Sequence, residues 1–127
     1  MFDKELVLEI LEQIGNAIQR IQRRFEAIRS ADDFTNSEAG VEKLDAICMQ
    51  LIAVGESLKN LDKMTGNSLL PKYPGIDWKK IKGMRDIISH HYFDVDAELI
   101  YDVCENHVGK LYATIQKMIN DLRNERT

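Results

Sequence analysis

The chain has little of what β-structure, secretion or metal chemistry requires. Two prolines and seven glycines in 127 residues leave little material for β-turns. Only two cysteines occur, Cys48 and Cys104, both inside helical patterns. They read as reduced core thiols, not as a disulfide framework. No run of 18 apolar residues is present and no basic-then-apolar leader opens the sequence. Neither a membrane span nor a signal peptide is expected, which places the protein in the cytoplasm. There is no Glu-x-x-His, no Cys-x-x-Cys, no His-Glu-x-x-His and no phosphate-cradling glycine loop. Asp86, His90 and Asp94 do fall at i, i+4 and i+8, but a bundle metal site needs paired ligands from two helices. No metal and no cofactor is expected.

What is present is ordinary for one folded domain, expected to span residues 1–127. Hydrophobic residues make up 44% and charged residues 30%, and the net charge of −4 argues against a protein that coats nucleic acid. The charge is uneven. Residues 71–91 hold five cations (Lys72, Lys79, Lys80, Lys82, Arg85) against two anions (Asp77, Asp86), the one net-positive segment of the chain. A local basic patch in an acidic chain suits a small number of phosphate contacts. Chance clustering of surface lysines gives the same pattern.

The apolar spacing is helical throughout. Val7, Leu11, Ile14, Ile18, Ile21, Phe25 and Ile28 follow one another at intervals of four and three, the seam of a long helix packed nearly parallel to its neighbours. Residues 30–40 break the pattern, and Thr35 with Glu38 reads as a capping box for a second helix. That helix carries Val41, Leu44, Cys48, Leu51, Leu58 and Leu61, with Gly55 in the stripe where another backbone can come close. After residues 65–77, Asp77 reads as the cap of a short third helix bearing Trp78, Ile81, Met84, Ile87 and Ile88. Asp94 or Asp96 reads as the cap of a fourth, bearing Ile100, Cys104, Val108, Leu111, Ile115, Met118 and Leu122. These elements predict an all-α, up-and-down four-helix bundle. The short third helix leaves its C-terminal end near a bundle edge or an oligomer interface.

That end holds Arg85, Asp86, Ser89, His90, His91 and Tyr92 within eight positions. Each alone has an unremarkable explanation. Arg85 reads as a surface ion-pair partner, His90 as a residue favoured by the helix dipole, His91 as solvated, and Tyr92 as a packed aromatic with a wet hydroxyl. His107 and Trp78 read as core. Together the motif residues read as chemistry. Histidine moves protons near neutral pH, and arginine is a fixed fork for phosphate oxygens. That pair suits metal-free RNA cleavage, giving a 2′,3′-cyclic phosphate and a 5′-hydroxyl. Asp86 and His90 share a helix face, as do Arg85, Ser89 and Tyr92. Arg85 and His90 point about 140° apart on one helix. Two copies of the helix across a two-fold axis bring them together, as isologous homodimers do.

The stretch "RDIISHHY" is Arg85-x4-His90-x-Tyr92, preceded by "DWKKIKGM" and followed by "FDVDAELIYDV". With the four-helix layout, it resembles the HEPN superfamily and, within it, the HepT-like ribonuclease toxins. The resemblance runs from the first helix to about Leu122. It implies a HEPN bundle working as a homodimer or higher even-numbered assembly, with the motif at the subunit interface. It implies that Arg85 and His90 are the catalytic pair of a metal-independent endoribonuclease toxin. Tyr92 would be the position that a cognate minimal nucleotidyltransferase antitoxin modifies with AMP. Asp86 stands where the family usually has another polar residue, often Asn, and His91 is an alternative base. Lys79, Lys80 and Lys82 are the expected RNA contacts, with Asp86, His91 and Ser89 in support. The alternative is a non-catalytic partner subunit that docks a nucleotidyltransferase, which the net charge and Asp86 favour.

Overall fold

The structure, a computed structural model, describes residues 2–90 and 95–125. All regular structure among them is helical: α1 (Lys4–Phe25), a 3-10 turn (Ala31–Phe34), α2 (Glu38–Thr65), a second 3-10 turn (Leu70–Lys72), α3 (Trp78–Lys82), α4 (Met84–Ser89), α5 (Ala97–Asn106) and α6 (Val108–Asn124). These make four helical arms: α1, α2, α3 with α4, and α5 with α6. One core cluster unites them. The α1 stripe from Val7 to Ile21, the α2 stripe from Leu44 to Leu61 and the α6 stripe from Val108 to Leu122 are all buried in it. No helix among the described residues is long and apolar enough to cross a membrane.

The pairing of α1 with α6 is antiparallel. Lys4 donates to the carbonyl of Glu125, Arg123 pairs with Glu12, and Gln19 donates to the Tyr112 hydroxyl at 3.0 Å. Early residues of α1 therefore meet late residues of α6. Tyr101 donates to the carbonyl of Arg29 at 2.9 Å, and its ring packs tilted against Phe25 with centroids 5.2 Å apart. This ties the segment after α1 to α5. Both cysteines are buried core thiols, and burial is the main cause that pushes Cys48 up to about 11 and Cys104 to about 12.

Several local details depart from the sequence expectation. The cap of α2 is Ser37, whose hydroxyl accepts from the Gly40 N–H at 3.0 Å, and not Thr35. The 3-10 turn takes up the intervening residues, and Thr35 instead closes it by donating to the Asp32 carbonyl. A Cβ on Gly40 would sit 2.0 Å from the Asp33 carbonyl oxygen, so the turn packs directly on the start of α2. The third helix is two pieces, broken at Gly83, whose N–H reaches the carbonyls of both Lys79 and Lys80. The fourth is broken at His107, where φ −122° leaves the helical range. His107 is consequently half-exposed at a junction and lies 3.5 Å from Asp102. Trp78 is half-buried, with its indole N–H on the Tyr73 carbonyl at 2.9 Å. Val41, read as core, is exposed.

Candidate active site

The motif helix is fixed from three sides. Asp77 caps α3 by accepting from the Lys80 N–H at 3.1 Å, as its position predicts. Ile81, Met84 and Ile88 point inward and are buried. Gly55 of α2 lets the α3 backbone in: a Cβ there would lie 2.7 Å from the Ile81 carbonyl oxygen. The close approach inferred from the sequence is therefore used, and by the segment that carries the motif.

With Met84 and Ile88 inward, α4 turns its polar residues out. Arg85, Asp86, Ser89 and His90 are all exposed. Arg85 and Ser89 lie about 40° apart round the helix on one flank, and Asp86 and His90 about 40° apart on the other. Arg85 reveals which flank faces α2, because its Nη1 lies 3.4 Å from Glu56 Oε1. His90 closes α4 as its C-terminal cap residue and sits on the flank away from that contact. Asp86 and His90 are joined by the ordinary backbone bond of a helix, the His90 N–H donating to the Asp86 carbonyl at 3.1 Å, which is no pairing of their side chains. Tyr92 and His91 lie outside the described residues, as does Asp94; the cap of α5 is Asp96, which accepts from the Leu99 N–H at 3.1 Å.

The basic segment meets acids in the fold. Lys82 lies 2.5 Å from Asp62, and Lys80 lies 4.0 Å from Asp102. Lys79 is exposed. Lys80 also lines a small cavity of about 150 Å³, with Asp77, Ile81, His107, Lys110 and Leu111. Glu56 holds two cations at once, since its other oxygen lies 3.0 Å from Lys59. Its carboxyl is held below the usual carboxylate range, first by the Lys59 hydrogen bond and further by Arg85. Among the described residues no three His, Cys, Asp or Glu side chains are grouped to hold a metal ion.

Sequence reasoning did not find Glu56, Lys59 and Asp62. They recur every third residue along α2, beginning beside Gly55. Once Gly55 is read as a crossing point, charged residues in the two turns that follow it become the natural partners of the crossing helix.

Known proteins bear on what this surface does. A Methanocaldococcus jannaschii protein named as an RNase is 32% identical over 106 residues, covering 79% of this chain and 84% of its own length. A second from the same organism, also named as an RNase, is 26% identical over 122 residues, 96% of this chain and 91% of its own. A Thermococcus cleftensis protein named as a ribonuclease HepT is 26% identical over 110 residues, 87% and 93% of the two chains. No solved structure matches the chain significantly. The family model for HepT-like ribonucleases matches residues 4–118. The helical fold and the exposed Arg85 and His90 stand within that span, and the chain belongs to the HepT-like ribonuclease family.

Proposed function

We propose that this chain is the metal-independent endoribonuclease toxin of a toxin–antitoxin pair, acting in the cytoplasm at a site shared by two copies. The observation that carries this reading is the outward presentation of Arg85 and His90 on opposite flanks of α4. His90 takes the proton from a 2′-hydroxyl, that oxygen attacks phosphorus, and the bond to the 5′-oxygen breaks as the 5′-oxygen takes a proton from water. Arg85 stabilises the charge that grows on the phosphoryl oxygens. The products are a 2′,3′-cyclic phosphate and a 5′-hydroxyl.

A single α4 aims the two groups apart, so the partner for each comes from a second copy. The outer face of α2 supports that arrangement. Met49 is 65% exposed and Val41 42% exposed. Met49 lies within about 20° of Glu56 round α2, and Val41 within about 60°. Two exposed apolar residues thus stand on the face of the helix that leads to the residue touching Arg85, with the exposed Asp45 between them, and a second copy seated there would stand beside the motif.

Tyr92 follows His90 by two residues. Transfer of AMP from ATP to its hydroxyl by a nucleotidyltransferase antitoxin, with pyrophosphate leaving and the phenol proton going to water, would set a phosphate against Arg85 and obstruct RNA. The ion pairs of Lys80, Lys82 and Arg85 favour one alternative, a non-catalytic subunit that only docks the nucleotidyltransferase.

One experiment separates the two. Purified protein, treated with EDTA, is incubated with labelled RNA, alone and after co-expression with the neighbouring nucleotidyltransferase. Cyclic-phosphate ends, lost in Arg85→Ala and His90→Ala and absent from protein whose Tyr92 carries AMP by intact mass, support the toxin. Cleavage that survives both substitutions rules it out. Tight binding of the nucleotidyltransferase with no cleavage by the unmodified protein supports the docking subunit.

A further inference from the structure

Glu56 places a carboxylate on the Arg85 guanidinium. Its Oε1 lies 3.4 Å from Arg85 Nη1, and its Oε2 lies 3.0 Å from Lys59 Nζ. It is a planar anion with one oxygen on each of two cations, from two different helices. Arg85 is 60% exposed on its side chain, and Glu56 39%. The contact is therefore wet, single and long, the kind of ion pair that contributes little to stability. A guanidinium held this loosely can change partners.

The same geometry has a cost for substrate. A phosphate that approaches Arg85 must take hydrogen-bond donors from a group already shared with a carboxylate. It must also come within a few ångströms of that negative charge, where repulsion is only partly screened. We propose that Glu56 sets the affinity of the RNA site: it occupies the Arg85 fork as an internal stand-in for phosphate and is displaced when RNA binds. This rests on the reading that Arg85 meets an RNA phosphate. Displacement turns Arg85, internally neutralised in the free protein, toward the backbone of the bound strand, while Glu56 keeps Lys59, its i+3 neighbour on α2. The device suits a nuclease on an acidic chain, because it favours strands that place a phosphate at the motif over polyanions in general.

The test is binding in a non-cleaving His90→Ala background, with fluorescein-labelled, mixed-sequence, single-stranded RNA as the probe, across a salt series. Glu56→Gln keeps size and shape and removes the charge. It is expected to tighten binding about 3- to 10-fold at 0.1 M salt. The slope of log affinity against log salt should stay within about 0.7, one phosphate contact, of the wild-type slope, because Arg85 meets phosphate in both proteins. The gain should vanish when Arg85→Ala is added. Glu12→Gln, which removes a carboxylate paired with Arg123 on the α1–α6 side, should change neither quantity.

An unchanged affinity in Glu56→Gln, with Arg85→Ala still weakening binding, overturns the inference and leaves the RNA site standing. Weaker binding in Glu56→Gln also overturns it, making Glu56 a support for Arg85. An equal gain in Glu12→Gln overturns it in favour of net charge alone. If neither Arg85→Ala nor Glu56→Gln alters binding, the inference and the reading of Arg85 fall together.

Discussion

The carbonyl oxygen of Ile81 lies 2.7 Å from where a Cβ on Gly55 would stand. This one approach sets how closely α3 and the motif helix behind it sit on α2. It is also what brings Arg85 within reach of Glu56, the next residue along α2.

Gly55→Ala should therefore destabilise the protein and disturb the motif. Alanine favours a helix over glycine by up to about 1 kcal/mol. Against that stands a contact with rigid backbone, whose relief costs about 1–3 kcal/mol. Gly109 in α6 provides the contrast, because a Cβ there meets nothing within 4 Å. Gly109→Ala should be neutral or stabilising by a few tenths of a kcal/mol. Thermal denaturation of the two variants should move in opposite directions. Only Gly55→Ala should also reduce RNA cleavage.

Much of this frame is legible from the residues, and the gaps have physical reasons. The stripes of α1 and α2, the Asp77 cap and the role of Gly55 follow from spacing, because burial repeats with the helix. The breaks at Gly83 and His107 do not. Ile81 to Met84 and Cys104 to Val108 keep intervals of three and four across each break, so periodicity passes over a one-residue kink. The cap at Ser37 was hidden by the Thr35–Glu38 pattern. Only the packing of Gly40 on the Asp33 carbonyl shows that a 3-10 turn comes first. Glu56 was invisible for another reason. It sits on a solvated face, and a charged residue there acquires meaning only from what crosses it.

A second stability prediction concerns the loop ahead of α3. Tyr73 donates to Asp121 at 2.7 Å, which pins the loop to α6. Burial first, then this bond and the neighbouring charge, push the phenol up to about 12, while the bond holds the Asp121 carboxyl below its usual range. The phenol's folded value is raised, so its contribution is whole below the ordinary value of 10.0 and is lost as pH rises through about 12. The carboxyl's folded value is depressed, so its contribution is present above the ordinary carboxylate range and is lost as pH falls through the folded value. Tyr73→Phe should cost about 1 kcal/mol at neutral pH. It should also flatten the loss of stability between pH 10 and 12. Denaturant melts at pH 7 and across the alkaline range would show both effects, and a wild-type alkaline limb in Tyr73→Phe would refute the assignment.

The exposed Met49 on the outer face of α2 gives a prediction about assembly. Met49 is 65% exposed, so Met49→Glu should leave the melting temperature of the single chain close to unchanged. Seated against a second copy, the same carboxylate would be buried without a partner. Sedimentation should show the variant shifting from dimer to monomer, with RNA cleavage falling in step. A variant that remains dimeric and active would move the interface off this face.

The strongest test of a shared site needs no structure of the dimer. If Arg85 of one copy works with His90 of the other, a two-fold dimer holds two sites, each drawing on both chains. Arg85→Ala and His90→Ala homodimers are then both inactive. In a mixed dimer, one site receives both defects and the other receives neither. Random reassociation makes half the dimers mixed, each with one intact site of two. The mixture should recover about a quarter of wild-type activity. If Arg85 and His90 instead act within one chain, every site in the mixture carries one defect and recovery is nil. The quantity to measure is the initial rate of RNA cleavage after the two variants are mixed, dissociated and allowed to reassociate. A mixture of Arg85→Ala with itself, carried through the same steps, fixes the zero. The angular separation of the two side chains on α4 makes recovery the expected result.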